Sequence, residues 1–92
     1  MIRSFSDKAT RDLWETEKSR RFAAIARVAL KRLIQLNAAE SLDDLRVPPG
    51  NQLEALGGNR KGQHSIRINR QYRICFIWTN EGATGVEIVD YH

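Results

Sequence analysis

The sequence predicts an α+β fold: two N-terminal helices packed on one face of a four- to five-stranded, mainly antiparallel sheet, in one domain over residues 1–92. Three observations predict it. In the first half apolar residues recur at i, i+3, i+4 and i+7, the period of a helix buried along one stripe. In the second half they alternate or run together over short segments punctuated by Gly- and Asn-containing turns, as in strands. Finally, 92 residues make one small core and are too few to divide into two.

In chain order, Ile2 to Phe5 reads as a possible edge strand. Asp7 is placed to cap a short helix from Lys8 to about Glu17, which carries Leu13 and Trp14. A stronger helix is predicted from about Arg21 to Asn37. Its apolar stripe is Phe22, Ile25, Ala26, Ala29, Leu30, Leu33 and Leu36, with Arg27, Lys31 and Gln35 opposite and Asn37 as C-cap. Ser41 to Leu45 reads as one capped turn, and Val47-Pro48-Pro49-Gly50-Asn51 breaks any helix. Gln52 to Leu56 reads as a short strand ended by Gly57-Gly58-Asn59. His64 to Ile68 alternates, Asn69-Arg70-Gln71 turns the chain, and Tyr72 to Trp78 is apolar on both faces, as a central strand is. Asn80-Glu81-Gly82 makes a second turn, and Gly85 to Tyr91 closes the sheet.

Composition narrows the function classes. Hydrophobic residues at 41% and charged residues at 28% are globular values. No apolar run approaches the roughly 18–20 residues of a membrane span, and the opening residues lack a secretory leader's apolar core. The one cysteine, Cys75, excludes an internal disulfide and reads as a small core residue. A reducing, cytoplasmic setting is expected. Neither metal-ligand spacing nor a nucleophile elbow occurs, so no metal and no cofactor are expected.

The net charge of +4 is unevenly spread. Lys18, Arg20, Arg21, Arg27, Lys31 and Arg32 form one block without an acid; Arg60, Lys61, Arg67, Arg70 and Arg73 form another. Such blocks suit phosphates or an acidic partner, although a solvated helix face and ordinary strand charges explain the two equally well. Strand parity assigns Ile66, Ile68, Ile74, Phe76, Val86 and Ile88 to the helix side. It leaves Arg67, Arg73, Glu87 and Tyr91 together on an uncovered face. Arginine offers donors matched to phosphate oxygens, and tyrosine stacks on a base or moves a proton. Alternatively, Arg73 is a structural partner of Glu54 or Glu87, and Arg67 is simply solvated. His64 shares the parity of Ile66 and reads as a core or rim residue. Asp90-Tyr91-His92 closes the chain with an acceptor, a phenol and an imidazole.

Four stretches carry a family resemblance: Pro49-Gly50-Asn51-Gln52-Leu53-Glu54-Ala55-Leu56, Gly62-Gln63-His64-Ser65-Ile66-Arg67-Ile68-Asn69, Gln71-Tyr72-Arg73-Ile74-Cys75-Phe76, and Val89-Asp90-Tyr91-His92. With the opening Ile2-Arg3-Ser4-Phe5, their order and spacing resemble the plasmid-maintenance killer proteins, the HigB/GraT branch of the RelE/ParE toxin superfamily. The resemblance covers the whole chain. It implies the toxin of a type II toxin–antitoxin pair, neutralised by a HigA/GraA-like helix-turn-helix antitoxin through which alone operator DNA is bound. RelE-like members enter the ribosome and cut mRNA; ParE-like members poison gyrase. Arg73 and Tyr91 fall where RelE-type enzymes carry a phosphate-binding arginine and a C-terminal aromatic. HigB nucleases carry a histidine at the position of Glu54 and a lysine near that of Gly57, and this chain has neither.

The expected reaction is metal-independent endoribonuclease cleavage by attack of a 2′-OH on the neighbouring phosphate. Arg73 with Arg67 is assigned as the clamp on the phosphorane, Glu54 as base, and Tyr91 or His92 as acid. Arg60, Lys61, Arg70 and His64 are assigned to RNA binding. The alternative is a non-catalytic inhibitor of ribosomes, ribosome assembly or gyrase. A sequence-specific DNA-binding module fits less well, because no second helix follows Arg21–Asn37 at helix-turn-helix spacing.

Overall fold

The protein, described here from a computed structural model covering residues 1–91, has two helices on one face of a four-stranded sheet. The helices are α1 (Lys8–Thr16) and α2 (Ala26–Ala38). The strands are β1 (Glu54–Ala55), β2 (His64–Arg67), β3 (Tyr72–Thr79) and β4 (Gly82–Asp90). They lie in the order β1-β2-β3-β4, and every neighbouring pair is antiparallel. No helix among the described residues is long and apolar enough to cross a membrane.

Asp7 holds the N-cap position of α1, but its side chain makes no capping bond; its backbone carbonyl accepts from Arg11 N–H instead. The second helix starts later than expected. Ser19 Oγ accepts the Phe22 amide at 2.9 Å, and a 3-10 turn at Ala23–Ile25 precedes α2. Phe22 is 2% exposed and meets Tyr72 edge-on at 6.0 Å, and docking that ring bends the chain at Phe22 and Ile25. Asn37 does not cap α2. It lies inside the helix, and its Oδ1 accepts the Ile2 amide at 2.9 Å.

The first segment forms two isolated parallel bridges, Ile2 with Ala83 and Phe5 with Val86, rather than a full fifth strand. A bulge explains this. Register shifts between Cys75 and Ile77, so that Gly85 and Val86 of β4 face one residue of β3. Gly85 takes φ 59, the left-handed conformation such bulges ask of a glycine. Its freed amide donates to Ser4 Oγ, and its carbonyl accepts from Ser6 Oγ, both at 2.9 Å. Farther along β4, the Ile88 amide donates to Thr10 Oγ1 of α1 at 3.0 Å. The outer edge of β4 is thus sealed by the N-terminal segment and α1, which removes a pairing hazard.

Between sheet and helices lie Leu13, Leu33, Leu36, Leu45, Ile66, Ile74, Phe76 and Val86, almost wholly buried. Burying each such side chain contributes about 1.5–3 kcal/mol. The expected helix-side set is borne out. What parity left uncovered is not bare, however: on the far face Ser65 and Cys75 are 0% exposed and Arg73 only 7%.

Candidate functional site

Register builds the far face. Arg67 of β2 stands directly opposite Arg73 of β3, Ser65 opposite Cys75, and Cys75 opposite Glu87 of β4; Glu54 of β1 pairs with Ser65. Like charges directly opposed across strands cost roughly 0.2–1 kcal/mol. Two facing arginines therefore want an anion between them. Arg67 makes no side-chain hydrogen bond or ion pair with another described residue, while its backbone carbonyl accepts from Arg32 Nε of α2 at 3.2 Å.

Arg73 is the most constrained group of the face. Its Nε donates to Ser65 Oγ at 2.6 Å, and its Nη2 donates to the Gln52 carbonyl and, at 3.4 Å, to the Ser65 carbonyl. Glu54 Oε2 lies 4.0 Å from Nη2, and the Tyr91 ring centroid lies 6.0 Å from Cζ. This answers both structural alternatives for Arg73. Glu54 is a distant partner and half exposed, and Glu87 belongs to Arg60, whose Nη1 it holds at 2.7 Å. The Glu87 carboxylate pushes the Arg60 guanidinium further toward its charged form. The Arg60–Glu87 pair flanks Cys75, whose thiol burial pushes its pKa up, so the thiol is a packed core group.

Residues 3–92 match the model of the HigB-like toxins, described as RelE-like toxins of type II toxin–antitoxin systems. The chain belongs to the HigB-like toxin family. It is similar to Toxin HigB-1 of Vibrio cholerae, 42% identical over 82 residues, 87% of this chain and 86% of that protein. An uncharacterized protein of Haemophilus influenzae is 39% identical over 54 residues, 59% of this chain and 54% of that one. Family and fold agree, since two helices on an antiparallel sheet is what the resemblance implied.

Of the site residues expected in this HigB-like toxin, four gather at one place: Arg73, Arg67, Glu54 and Tyr91. Tyr91 is 43% exposed and so is available to a ligand. His92 lies outside the described residues. Arg60 is on the same face but is already committed to Glu87, with Gln63 Oε1 at 3.1 Å as well. Lys61 and Arg70 stand exposed in the turns before β2 and β3. His64 is not brought to this face. It opposes Phe76 in the register, stacks on that ring at 6.4 Å, and points toward the helix side, because residues of equal parity share a face.

Two contributors escaped the sequence reading, Ser65 and Gln52. Ser65 shares the outward parity of Arg67, yet it is buried on the diagonal from Arg73. Gln52 contributes only its carbonyl, from a left-handed conformation at φ 43 that closes the Pro49–Asn51 turn. Backbone direction of this kind leaves no mark in residue type. The first basic block goes elsewhere: Arg27 and Lys31 lie exposed on α2, on the opposite side of the sheet from Arg73.

Proposed function

We propose that this HigB-like toxin cleaves mRNA on the ribosome without a metal, and that a helix-turn-helix antitoxin neutralises it. Operator DNA is reached only through that antitoxin. The observation that carries the reading is the facing pair Arg67 and Arg73, with Tyr91 beside it and one guanidinium nitrogen of Arg73 that bonds to no other described residue. A phosphodiester between them would relieve their mutual repulsion.

The chemistry follows from that placement. Glu54 takes the proton of the 2′-OH, whose oxygen attacks the adjacent phosphorus. The phosphorane gathers negative charge, and the two arginines stabilise it more than they stabilise the starting diester; that difference accelerates the step. The P–O5′ bond then breaks, and the Tyr91 phenol protonates the leaving oxygen. The products are a 2′,3′-cyclic phosphate and a 5′-OH, and water then relays the proton held by Glu54 to the Tyr91 phenolate, which resets both groups.

The test is expression of the toxin alone and together with its antitoxin, with mapping of the RNA ends. Growth arrest, rescue by the antitoxin and 2′,3′-cyclic ends are expected. Arrest with intact mRNA would instead favour an inhibitor that binds ribosomes or gyrase without cutting, and unimpaired growth with abundant folded protein would overturn the toxin reading.

A further inference from the structure

We infer that Ser65 and the backbone of Gln52 are positioning residues for Arg73, holding its guanidinium so that Nη1 alone is left for the substrate phosphate. The inference rests on the RNA-cleaving reading above and deepens it.

The donor inventory supports this. A guanidinium has five N–H donors. One, on Nε, goes to Ser65 Oγ at 2.6 Å, and both donors of Nη2 have acceptors in the Gln52 and Ser65 carbonyls. Nη1 bonds to no other described residue, so its two donors remain. The edge of the guanidinium formed by Nε and Nη2, the usual two-toothed grip on a phosphate, is thereby consumed by the protein. Arg73 is anchored and presents a single nitrogen, whereas Arg67 across the register, with no side-chain partner among the described residues, offers its fork.

The anchor is itself built at a cost. Gln52 is a non-glycine residue at φ 43, ψ 58, a sparsely populated conformation that persists only where its surroundings over-determine it. Its amide donates to the Pro49 carbonyl at 3.1 Å, which closes the turn and directs its own carbonyl at Arg73. Ser65 is 0% exposed, so its hydroxyl is spent inside the protein and does not touch a ligand. An unanchored arginine must lose side-chain freedom when the phosphorane forms; an anchored one has lost it on folding.

The experiment compares Ser65→Ala, Gln52→Gly and Gln52→Val with wild type, on ribosomes carrying mRNA in the A site. Single-turnover cleavage, affinity for an uncleavable 2′-deoxy mRNA, and protection of the Arg73 Nε proton from exchange are measured for each. Ser65→Ala should lose the Nε protection and slow cleavage by about tenfold or more, while affinity changes less than about twofold. Gln52→Gly keeps the carbonyl and tolerates the left-handed backbone, so it should cleave as wild type does. Gln52→Val, β-branched where φ is positive, should slow cleavage as Ser65→Ala does. If Ser65→Ala lowers rate and affinity together, or keeps wild-type cleavage, the positioning role is overturned. Equal cleavage by both Gln52 variants would remove Gln52 from the pair. A wild-type protein that neither binds nor cuts the mRNA refutes the RNA reading itself, which is a separate outcome from a wild type that cuts and a Ser65 variant that cuts equally well.

Discussion

Replacing Arg73 by alanine separates chemistry from folding, because both effects can be sized. On the proposed mechanism it removes one of the two cations beside the developing charge. Deleting one preorganised donor typically costs about 10²–10³ in rate, or roughly 2.7–4 kcal/mol. Structurally, the side chain satisfies a buried hydroxyl at 2.6 Å and the Gln52 carbonyl, and its loss leaves both without that donor. A buried polar group left unpaired costs about 1–3 kcal/mol. Against this, the repulsion from Arg67 disappears, returning roughly 0.2–1 kcal/mol. Because Ser65 is the buried one of the two, the net loss is about 0–3 kcal/mol, which should lower Tm by up to roughly 24 °C for a domain of this size. Domains of this length are stable by at least about 5 kcal/mol, so more than roughly nine-tenths of the variant remains folded at 25 °C. A 100-fold loss of activity therefore cannot be assigned to unfolding. The assay is cleavage of ribosome-bound mRNA, normalised to the folded fraction from a thermal melt of the same sample. Arg73→Lys keeps a charge but cannot reproduce the three anchoring bonds, so it should fall between wild type and alanine. A folded Arg73→Ala protein that cleaves within threefold of wild type would refute the placement of Arg73 at the reacting phosphate.

Further expectations follow from the same geometry. Log affinity for single-stranded RNA should fall linearly with log salt at about 0.7 per phosphate contact. With Arg60 held by Glu87, the contacts come from Arg67, Arg73, Lys61 and Arg70, so the slope should lie near about −2.8 and shrink by about 0.7 in Arg67→Ala. Gly82→Ala should destabilise strongly, because φ is 121° and the added Cβ would lie 1.9 Å from the Met1 carbonyl oxygen. Backbone strain alone costs about 1–3 kcal/mol; Gly57→Ala, with nothing within 4 Å of its Cβ, serves as the control in urea melts. Asp44 accepts the Glu40 and Ser41 amides, which hold its carboxyl below the ordinary value of 3.8. A depressed folded value means its contribution is present above pH 3.8 and lost as pH falls through the folded value. The stability gap between wild type and Asp44→Asn should thus be constant near neutrality and close in acid; a gap that widens there would contradict the capping bonds.

Residue order alone determined much of this protein. Strand parity across the last three strands assigned the core-facing Ile66, Ile68, Ile74 and Ile88 and the far-face positions of Arg67, Arg73 and Glu87, because a strand's side chains can point only two ways. The helical stripe of Ala29, Leu33 and Leu36 was equally legible, as was the Pro-Pro-Gly break after it. Tertiary contacts decided the rest. The start of α2 moved because Phe22 left the helical path to meet Tyr72, a contact between residues fifty positions apart. The N-terminal segment became a clasp because the Gly85 bulge freed polar groups that Ser4 and Ser6 satisfy. At the site, local pattern placed Arg73 on the right face but left open whether it would be free or held. That depended on the β2–β3 register, which sets Ser65 on its diagonal, and on the left-handed backbone of Gln52, which aims a carbonyl at it. Side-chain direction is a property of neighbouring residues, whereas hydrogen-bond partners are chosen by whatever distant segment packing brings within about 3 Å.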